Sequence, residues 1–171
     1  MDELSFPDRH HVVAADGWLD LGLPSEALQE LEQCSPGARR TRVAANVAWR
    51  AHAERRDWGT ALAVAEQLVS EFPQEVGGWL HRSYALHELH RTQEASEALL
   101  PAAALFPKDP IIRYNLACYA CRMGDLDAAR RWLREVVRIQ DVAFLKALAM
   151  DDPDLEALRH EIAGWGADRQ K

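Results

Sequence analysis

The feature that most constrains this chain is an internal repeat of 34 residues. Alanine recurs at that step four times, at Ala27, Ala61, Ala95 and Ala129. The dipeptide Phe72-Pro73 recurs at the same step as Phe106-Pro107. A fixed period of this length is typical of stacked copies of one supersecondary unit. We therefore expect an array of repeated units instead of one irregular globular core.

Length, charge and residue usage narrow the class of protein. A chain of 171 residues is long enough for one well-packed domain, and we expect a single domain over residues 1–171. The net charge of -7 argues against nucleic-acid binding, which needs a basic surface. No apolar run reaches the ~18 residues of a membrane span, and the acidic start Met1-Asp2-Glu3-Leu4 lacks the features of a secretion signal. We expect a cytoplasmic protein without membrane contact, and seventeen arginines against three lysines favour a bacterial source.

Turn and capping residues divide the chain into pairs of helices. Ser25 and Asp57 are expected N-caps, and Ser35-Pro36-Gly37 is expected to be a turn. The predicted helices cover about residues 8–21, 25–34, 38–56, 57–72, 75–90, 92–106, 109–123 and 125–139. Because the linkers are only a few residues long, consecutive helices must be antiparallel neighbours. No segment has a sustained period of two, so we expect no strands.

The C-terminal segment departs from the repeat. It contains a predicted short helix over 142–149 and another that begins at Asp151-Asp152-Pro153-Asp154 and runs to about Gly164. Proline suits the first helical turn, and carboxylates suit the positive end of the helix dipole. A repeat array needs an atypical final element to cover its last apolar face. We therefore predict that residues 144–171 form a cap.

The repeated columns resemble the tetratricopeptide repeat, whose signature is W-x2-L-G-x2-Y, then A-x3-F, then P. The resemblance covers residues 8–143 as four repeats, 8–41, 42–75, 76–109 and 110–143. The third repeat carries the clearest match, with Trp79, Ser83, Leu86, Ala95, Leu99 and Pro107. The second repeat has Trp49 where the family has a small residue, which predicts a rotated or shifted helix there. The resemblance implies an all-α fold, a right-handed solenoid of antiparallel helix pairs.

The resemblance also implies a binding groove and a function. In tetratricopeptide-repeat proteins the first helix of each repeat lines a concave groove that binds a segment of a partner protein. Residues spaced i, i+3 and i+7 share a helix face. That spacing predicts these groove residues: Asn46, Arg50, Leu80, Tyr84, His87, Ile111, Tyr114 and Cys118. We expect an adaptor, scaffold or chaperone with a protein or peptide partner, and with Tyr84 and Tyr114 as anchors.

The first helix of the fourth repeat is apolar almost all round, with Ile111, Ile112, Tyr114, Leu116, Ala117, Cys118, Tyr119 and Met123. Such a helix must be buried on all sides. Two explanations remain open at this point. Either the C-terminal cap folds over the helix, or a partner peptide or a second copy of the chain covers it. The second explanation gives the alternative function, a self-assembling structural subunit that forms a homo-oligomer.

Few residues of the sequence suggest a metal, redox or catalytic site. Cys118 and Cys121 form a C-x-x-C within a helix, and His87 on the preceding groove helix could approach them. A zinc or thiol-redox site is therefore a distant alternative, although no second C-x-x-C or strand-to-helix context supports it. None of the common phosphate-binding, zinc-protease or serine-hydrolase motifs occurs. We expect a protein that is not an enzyme and that has no cofactor or metal.

Arginines are unevenly distributed. One group lies in the second repeat, and another lies on the second helix of the fourth repeat at Arg130, Arg131, Arg134 and Arg138. Charge runs of this kind are typical of solvated helix faces. An acidic partner surface is the functional alternative.

Overall fold

The computed structural model describes residues 4–165, which form helices and turns without a strand. The eleven α-helices in this range are α1 Asp8–Asp20, α2 Pro24–Glu32, α3 Pro36–Arg39, α4 Arg42–Glu54, α5 Trp58–Glu71, α6 Val76–Glu88, α7 Thr92–Leu105, α8 Pro110–Arg122, α9 Leu126–Ile139, α10 Val142–Asp151 and α11 Arg159–Ala163. A 3-10 helix, Pro153–Leu158, lies between α10 and α11. In the described part of the chain, none of these helices has the length and apolarity needed to cross a bilayer.

The helices group into two compact units that divide between Leu89 and His90. Unit 1 contains α1 to α6, and unit 2 contains α7 to α11. The division falls inside the predicted repeat 76–109. The assignment of residues 1–171 to one domain stays a prediction.

Aspartate caps begin four of the described α-helices, α5, α8, α9 and α10. The Asp57 side chain accepts a hydrogen bond from the Thr60 N–H, and Asp125 accepts one from Ala128 N–H. Asp109 accepts from the first N–H groups of α8. Each carboxylate satisfies a donor that has no partner within its helix. The predicted starts of α5, α8 and α9 are therefore confirmed.

In every repeat, a residue with a positive φ angle follows the first helix, at the same position of the repeat. The residues are Gly22, Arg56, His90 and Gly124, which lie 34 positions apart and have φ angles of 71°, 56°, 61° and 82°. At Gly22 the N–H donates to Leu19 O and the next N–H donates to Trp18 O. This pair of bonds closes a helix C-terminus as a Schellman motif, which needs a positive φ. The 34-residue period is thus also a period of backbone conformation.

Three predictions of local structure in unit 1 are wrong: the cap at Ser25, the turn at 35–37 and the continuous helix 38–56. Helix α2 begins at Pro24 and has no side-chain cap, because proline is already set to the helical φ at the first position. Ser35 caps the short helix α3, where a turn was expected. The predicted helix 38–56 is interrupted at Thr41, whose extended backbone and side-chain cap begin α4 at Arg42.

One hydrophobic cluster of unit 1 is made of small and branched side chains, mainly from α1, α2 and α4. Its members include Val12, Ala15, Leu19, Ala27, Leu31, Ala44, Val47 and Ala51. Helices α5 and α6 approach closely at Gly78, where a Cβ would lie 3.0 Å from Leu68 Cβ and 3.1 Å from the Val69 backbone nitrogen. Only glycine permits this contact without a shift of the backbone.

In unit 2, the C-terminal segment packs on α8 and α9. The side chains of Leu155, Leu158 and Ile162 are fully buried there, and the 3-10 helix lies against α8. The predicted terminal helix from residue 151 is replaced by this 3-10 helix and the short α11. The chain's own C-terminal segment packs on α8 at Tyr114 and Cys118, as the first explanation expects, while Ile111 and Met123 of the same apolar set stay exposed. Residues 166–171 of the predicted cap lie outside the described residues.

Candidate functional site

Five of the eight predicted groove residues lie in unit 1, on two helices that contact each other. We call their surface the α4–α6 face; it comprises Asn46 and Arg50 of α4 with Leu80, Tyr84 and His87 of α6. Residues spaced by about one helical turn lie on one side of a helix. The predicted spacing therefore places these side chains on the same side of their respective helices.

A stacked pair of rings joins α4 to α6. The Trp49 and His81 rings lie 3.7 Å apart between centroids, with an interplanar angle of 11°. His81 Nε2 lies 3.0 Å from Asn46 Oδ1. Burial lowers the pKa of His81 to about 4, because the charged imidazolium would lose its hydration. At neutral pH an uncharged imidazole thus holds the two helices together.

Tyr84 is the exposed aromatic residue of the face. Its side chain is 42% exposed, although its ring makes edge contacts with Trp58 at 5.6 Å and Trp49 at 6.3 Å. Edge-to-face pairs at such separations are favourable beyond the area they bury. The ring of Tyr84 is consequently held in position while one side of it faces solvent.

The sequence marked Trp49 as a misfit, and the structure shows where it goes. The core of unit 1 takes Ala44, Val47 and Ala51 from α4, so small residues make the close helix contacts. Trp49 instead turns towards α6 and stacks on His81. Its indole Nε1 is buried and has no acceptor among residues 4–165. Trp49, Trp58 and His81 were not predicted as site residues; the only sequence signal was the large side chain at a small-residue position.

Arg50 is neutralised within the face. Its guanidinium lies 2.5 Å from Asp16 and 3.4 Å from Asp20, both on α1. All three side chains are more than two-fifths exposed, so the pairs contribute at most about 1 kcal/mol. Since two carboxylates already surround this arginine, the face has no surplus positive charge with which to bind a free carboxylate.

The three predicted groove residues of unit 2 have a different environment. Ile111 is 53% exposed, but Tyr114 and Cys118 are only 8% and 4% exposed. The Tyr114 hydroxyl donates to Asp152 Oδ2 at 2.7 Å, and the Cys118 thiol donates to the same oxygen at 3.5 Å. The expectation that Tyr114 is an open anchor is therefore wrong for this structure, because the C-terminal segment occupies that position. The sequence around Asp152 indicated only a helix start.

The two cysteines of the C-x-x-C are buried thiols. Burial, together with the nearby Asp152 and Asp154 carboxylates, raises the pKa of Cys118, and burial raises that of Cys121. Both therefore stay protonated at neutral pH, in the form that is a weak nucleophile and a poor metal ligand. Over residues 4–165 no three histidine, cysteine, aspartate or glutamate side chains are grouped so as to hold a metal ion.

Comparison with known proteins identifies the fold. No protein-family model matches the sequence, and no curated protein matches it either. The chain is similar to the solved structure of TTC0263, a thermophilic TPR protein in Thermus thermophilus, with a TM-score of 0.69, 19% identity and 94% of each chain covered. It is also similar to MamA of MSR-1, with a TM-score of 0.67, 16% identity and coverage of 78% of this chain and 77% of that one. MamA of AMB-1 in crystal form C2221 gives a TM-score of 0.66 at 16% identity, with 79% of each chain covered. At these identities the likeness is one of fold, and it confirms the predicted all-α helix pairs of the tetratricopeptide type.

Proposed function

We propose that this chain, which has the tetratricopeptide-repeat fold, is a protein-interaction module that binds a segment of a partner protein on the α4–α6 face. The observation that carries the proposal is Tyr84, which is exposed to solvent yet braced by two tryptophans. Aromatic side chains dominate the energetics of protein interfaces. A ring that is already fixed in position loses little conformational entropy when a partner binds.

The electrostatics of the face favour a partner segment with an apolar or aromatic anchor. Asp16 and Asp20 neutralise Arg50, so a free terminal carboxylate would gain little there. Tyr84, Leu80 and the edge of the Trp58 ring supply apolar surface. Asn46 and Arg50 supply polar groups at its border, an arrangement of apolar centre and polar rim that is usual in interfaces.

The test is capture of a partner from source-cell lysate, followed by affinity measurement with the purified partner. Tyr84→Ala is expected to weaken binding at least about tenfold, the range of an interface hot spot, with an unchanged circular dichroism spectrum. Phe144→Ala removes another exposed aromatic ring, from α10, and serves as the matched control. Equal retention of the partner by both variants would place the contact outside the α4–α6 face. Loss of helicity in Tyr84→Ala would show that the ring is structural.

Self-assembly is the alternative function, and solution mass separates it from partner binding. Of the apolar residues of α8 that suggested it, Tyr114 and Cys118 are buried and hydrogen-bond to Asp152 of the C-terminal segment. We therefore expect a monomer by light scattering at micromolar concentration. A stable dimer would favour the homo-oligomer. We propose no enzymatic activity, cofactor or metal for either case, and the choice between adaptor, scaffold and chaperone depends on the partner that is captured.

A further inference from the structure

Unit 2 has a concave surface beside α9. It is a cavity of about 540 Å³ between α9, α10, α11 and the chain that follows α11. Its floor is apolar and includes Leu133, Val137, Val142, Leu158 and Ile162. The volume falls within the ~300–1,000 Å³ that is usual for binding sites.

Three arginines form one wall of this cavity. Arg130, Arg134 and Arg138 are spaced four residues apart on α9, so they succeed one another along the helix at about 6 Å per step. Arg130 is paired bidentately with Glu161 of α11, at 2.9 Å and 2.6 Å. Within residues 4–165, Arg134 and Arg138 are exposed and have no carboxylate partner.

One arginine of the wall already binds a carboxylate of this chain. Helix α11 places one carboxylate, that of Glu161, on the first arginine of the row and buries Ile162 beside it. Helix α11 has only five residues and ends at Ala163, and no carboxylate of residues 4–165 pairs with the next two arginines. A longer helix with acidic residues at four-residue spacing and an adjoining apolar face would match both the wall and the floor.

We propose that this cavity is a docking site for an acidic amphipathic helix of a partner protein. Carboxylates of that helix pair with Arg134 and Arg138, and its apolar side chains cover Val137 and Val142. The site is separate from the α4–α6 face in residues and in chemistry. It requires no part of the function proposed above.

The test uses the full-length chain and a synthetic, fluorescently labelled helix of about four turns. The peptide has glutamate at every fourth position, leucine on the adjoining face and alanine or glutamine elsewhere. We expect saturable binding by fluorescence anisotropy at low ionic strength and shifts of the Ile162 and Val137 methyl resonances. Arg134→Glu with Arg138→Glu is expected to weaken binding at least tenfold. Arg131→Glu with Lys108→Glu changes the net charge equally at exposed positions outside the cavity, and it is expected to leave binding within about twofold.

Two results would overturn the proposal, and each favours a different explanation. Absence of binding, or equal weakening by both pairs of substitutions, overturns the proposal in favour of a solvated basic face. Binding only by a chain that ends at Trp165 overturns it in favour of the chain's own last residues as the occupant. Tyr84→Ala is expected to leave peptide binding unchanged, so that failure at one site is not mistaken for failure at the other.

Discussion

Unit 1 and unit 2 use the same positions of the repeat in opposite ways. Asn46 and Arg50 of α4 correspond in the 34-residue step to Tyr114 and Cys118, two steps further on in α8. In unit 1 these positions stay at the surface and make polar contacts with neighbouring helices. In unit 2 a single carboxylate, Asp152, accepts from both and the segment around it buries them.

The difference teaches that a repeat position does not by itself define a binding site. A helix in the middle of an array has a following repeat, whereas α8 belongs to the last one and its apolar side chains need another cover. The C-terminal segment provides that cover with Leu155 and Asp152. The same pattern of residues thus yields an open face in one unit and a packed core in the other.

The largest expected effect on stability comes from weakening the packing of the C-terminal segment on α8. Leu155→Ala is expected to lower the free energy of unfolding by about 3 kcal/mol, because a fully buried leucine is replaced by a cavity. Leu148→Ala, at a residue 49% exposed on α10, is the control and should change stability by less than about 0.5 kcal/mol. Urea denaturation measures both. A neutral Leu155→Ala would mean that α8 is as open as α4.

Lowering the pH should reduce the stability of unit 1, because His81 is buried in its uncharged form. Its pKa is lowered from 6.5 to about 4 by burial, so the unfolded chain binds a proton at a higher pH than the folded chain does. The stabilisation that results is present above pH 6.5 and is lost as the pH falls towards 4. The expected loss is about 2 kcal/mol between pH 7 and pH 5.

The variant His81→Phe isolates that contribution. Phenylalanine keeps a ring for Trp49 to stack on, and it has no proton to bind. Carboxylates whose pKa values are lowered by hydrogen bonds, such as Asp8 and Asp57, contribute to acid sensitivity in both proteins and cancel in the comparison. We therefore expect urea midpoints that depend less on pH in His81→Phe than in the wild type between pH 7 and pH 5. Parallel pH profiles would show that His81 is solvated.

Asp152, which hydrogen-bonds the C-terminal segment to α8, should contribute less to stability than Leu155 does. Asp152→Ala removes the acceptor of Tyr114 and Cys118 as well as a cap for the Asp154 N–H. We expect a loss of about 2 kcal/mol, because a buried hydroxyl is left without a partner. Asp141→Ala removes only a helix cap, at the start of α10, and should cost about 1 kcal/mol.

Asp152→Ala is expected to cost more stability than Asp141→Ala. Combining Asp152→Ala with Tyr114→Phe tests whether this difference comes from the Tyr114 hydroxyl. In the double variant the hydroxyl and its acceptor are both absent, so the two losses should not add. Thermal and urea unfolding of the four proteins in this cycle measure the coupling. Additive losses would mean that the Tyr114 hydroxyl finds its partner elsewhere, and that the carboxylate does not distinguish α8 from α4.

Much of the fold could be predicted from the sequence because its determinants are local. Asp57 caps its own helix three residues on, and Gly124 ends its own helix, so each signal lies beside the boundary that it sets. The failures at Ser25 and over residues 35–41 are also local. Proline at position 24 replaces a cap, and Thr41 begins a helix inside a stretch whose composition is helical throughout.

The site could be predicted only where it depends on helix spacing. Spacing placed Asn46, Arg50 and Tyr84 on exposed or half-buried faces, but it could not show that Tyr114 would meet Asp152, 38 residues away. Contacts at that separation depend on how the C-terminal segment packs, and no periodic signal describes that segment. Trp49 was recognisable as a misfit, yet its stacking on His81 also depends on the rotation of a helix.

The smallest expected effect concerns a feature that the two units share. Two of the four first helices end with glycine in the left-handed region and two with a larger residue: Gly22 and Gly124 follow α1 and α8, and Arg56 and His90 follow α4 and α6. A side chain in that region costs about 1–2 kcal/mol, partly offset because glycine loses more entropy on folding. Arg56→Gly is therefore expected to raise the free energy of unfolding by about 0.5–1 kcal/mol.

Its neighbour provides the matched control. Arg55 is equally a surface arginine, but its φ is -78°, so Arg55→Gly relieves no strain and should lower stability by about 0.5 kcal/mol. Gly124→Arg should lower it by about 1 kcal/mol, since the same conformation is then imposed on a side chain. Opposite signs for Arg55→Gly and Arg56→Gly in urea denaturation would show that backbone conformation repeats every 34 residues where the sequence does not. Equal signs would mean that Arg56 makes a compensating contact, and that the helix ends of unit 1 are less alike than their φ angles indicate.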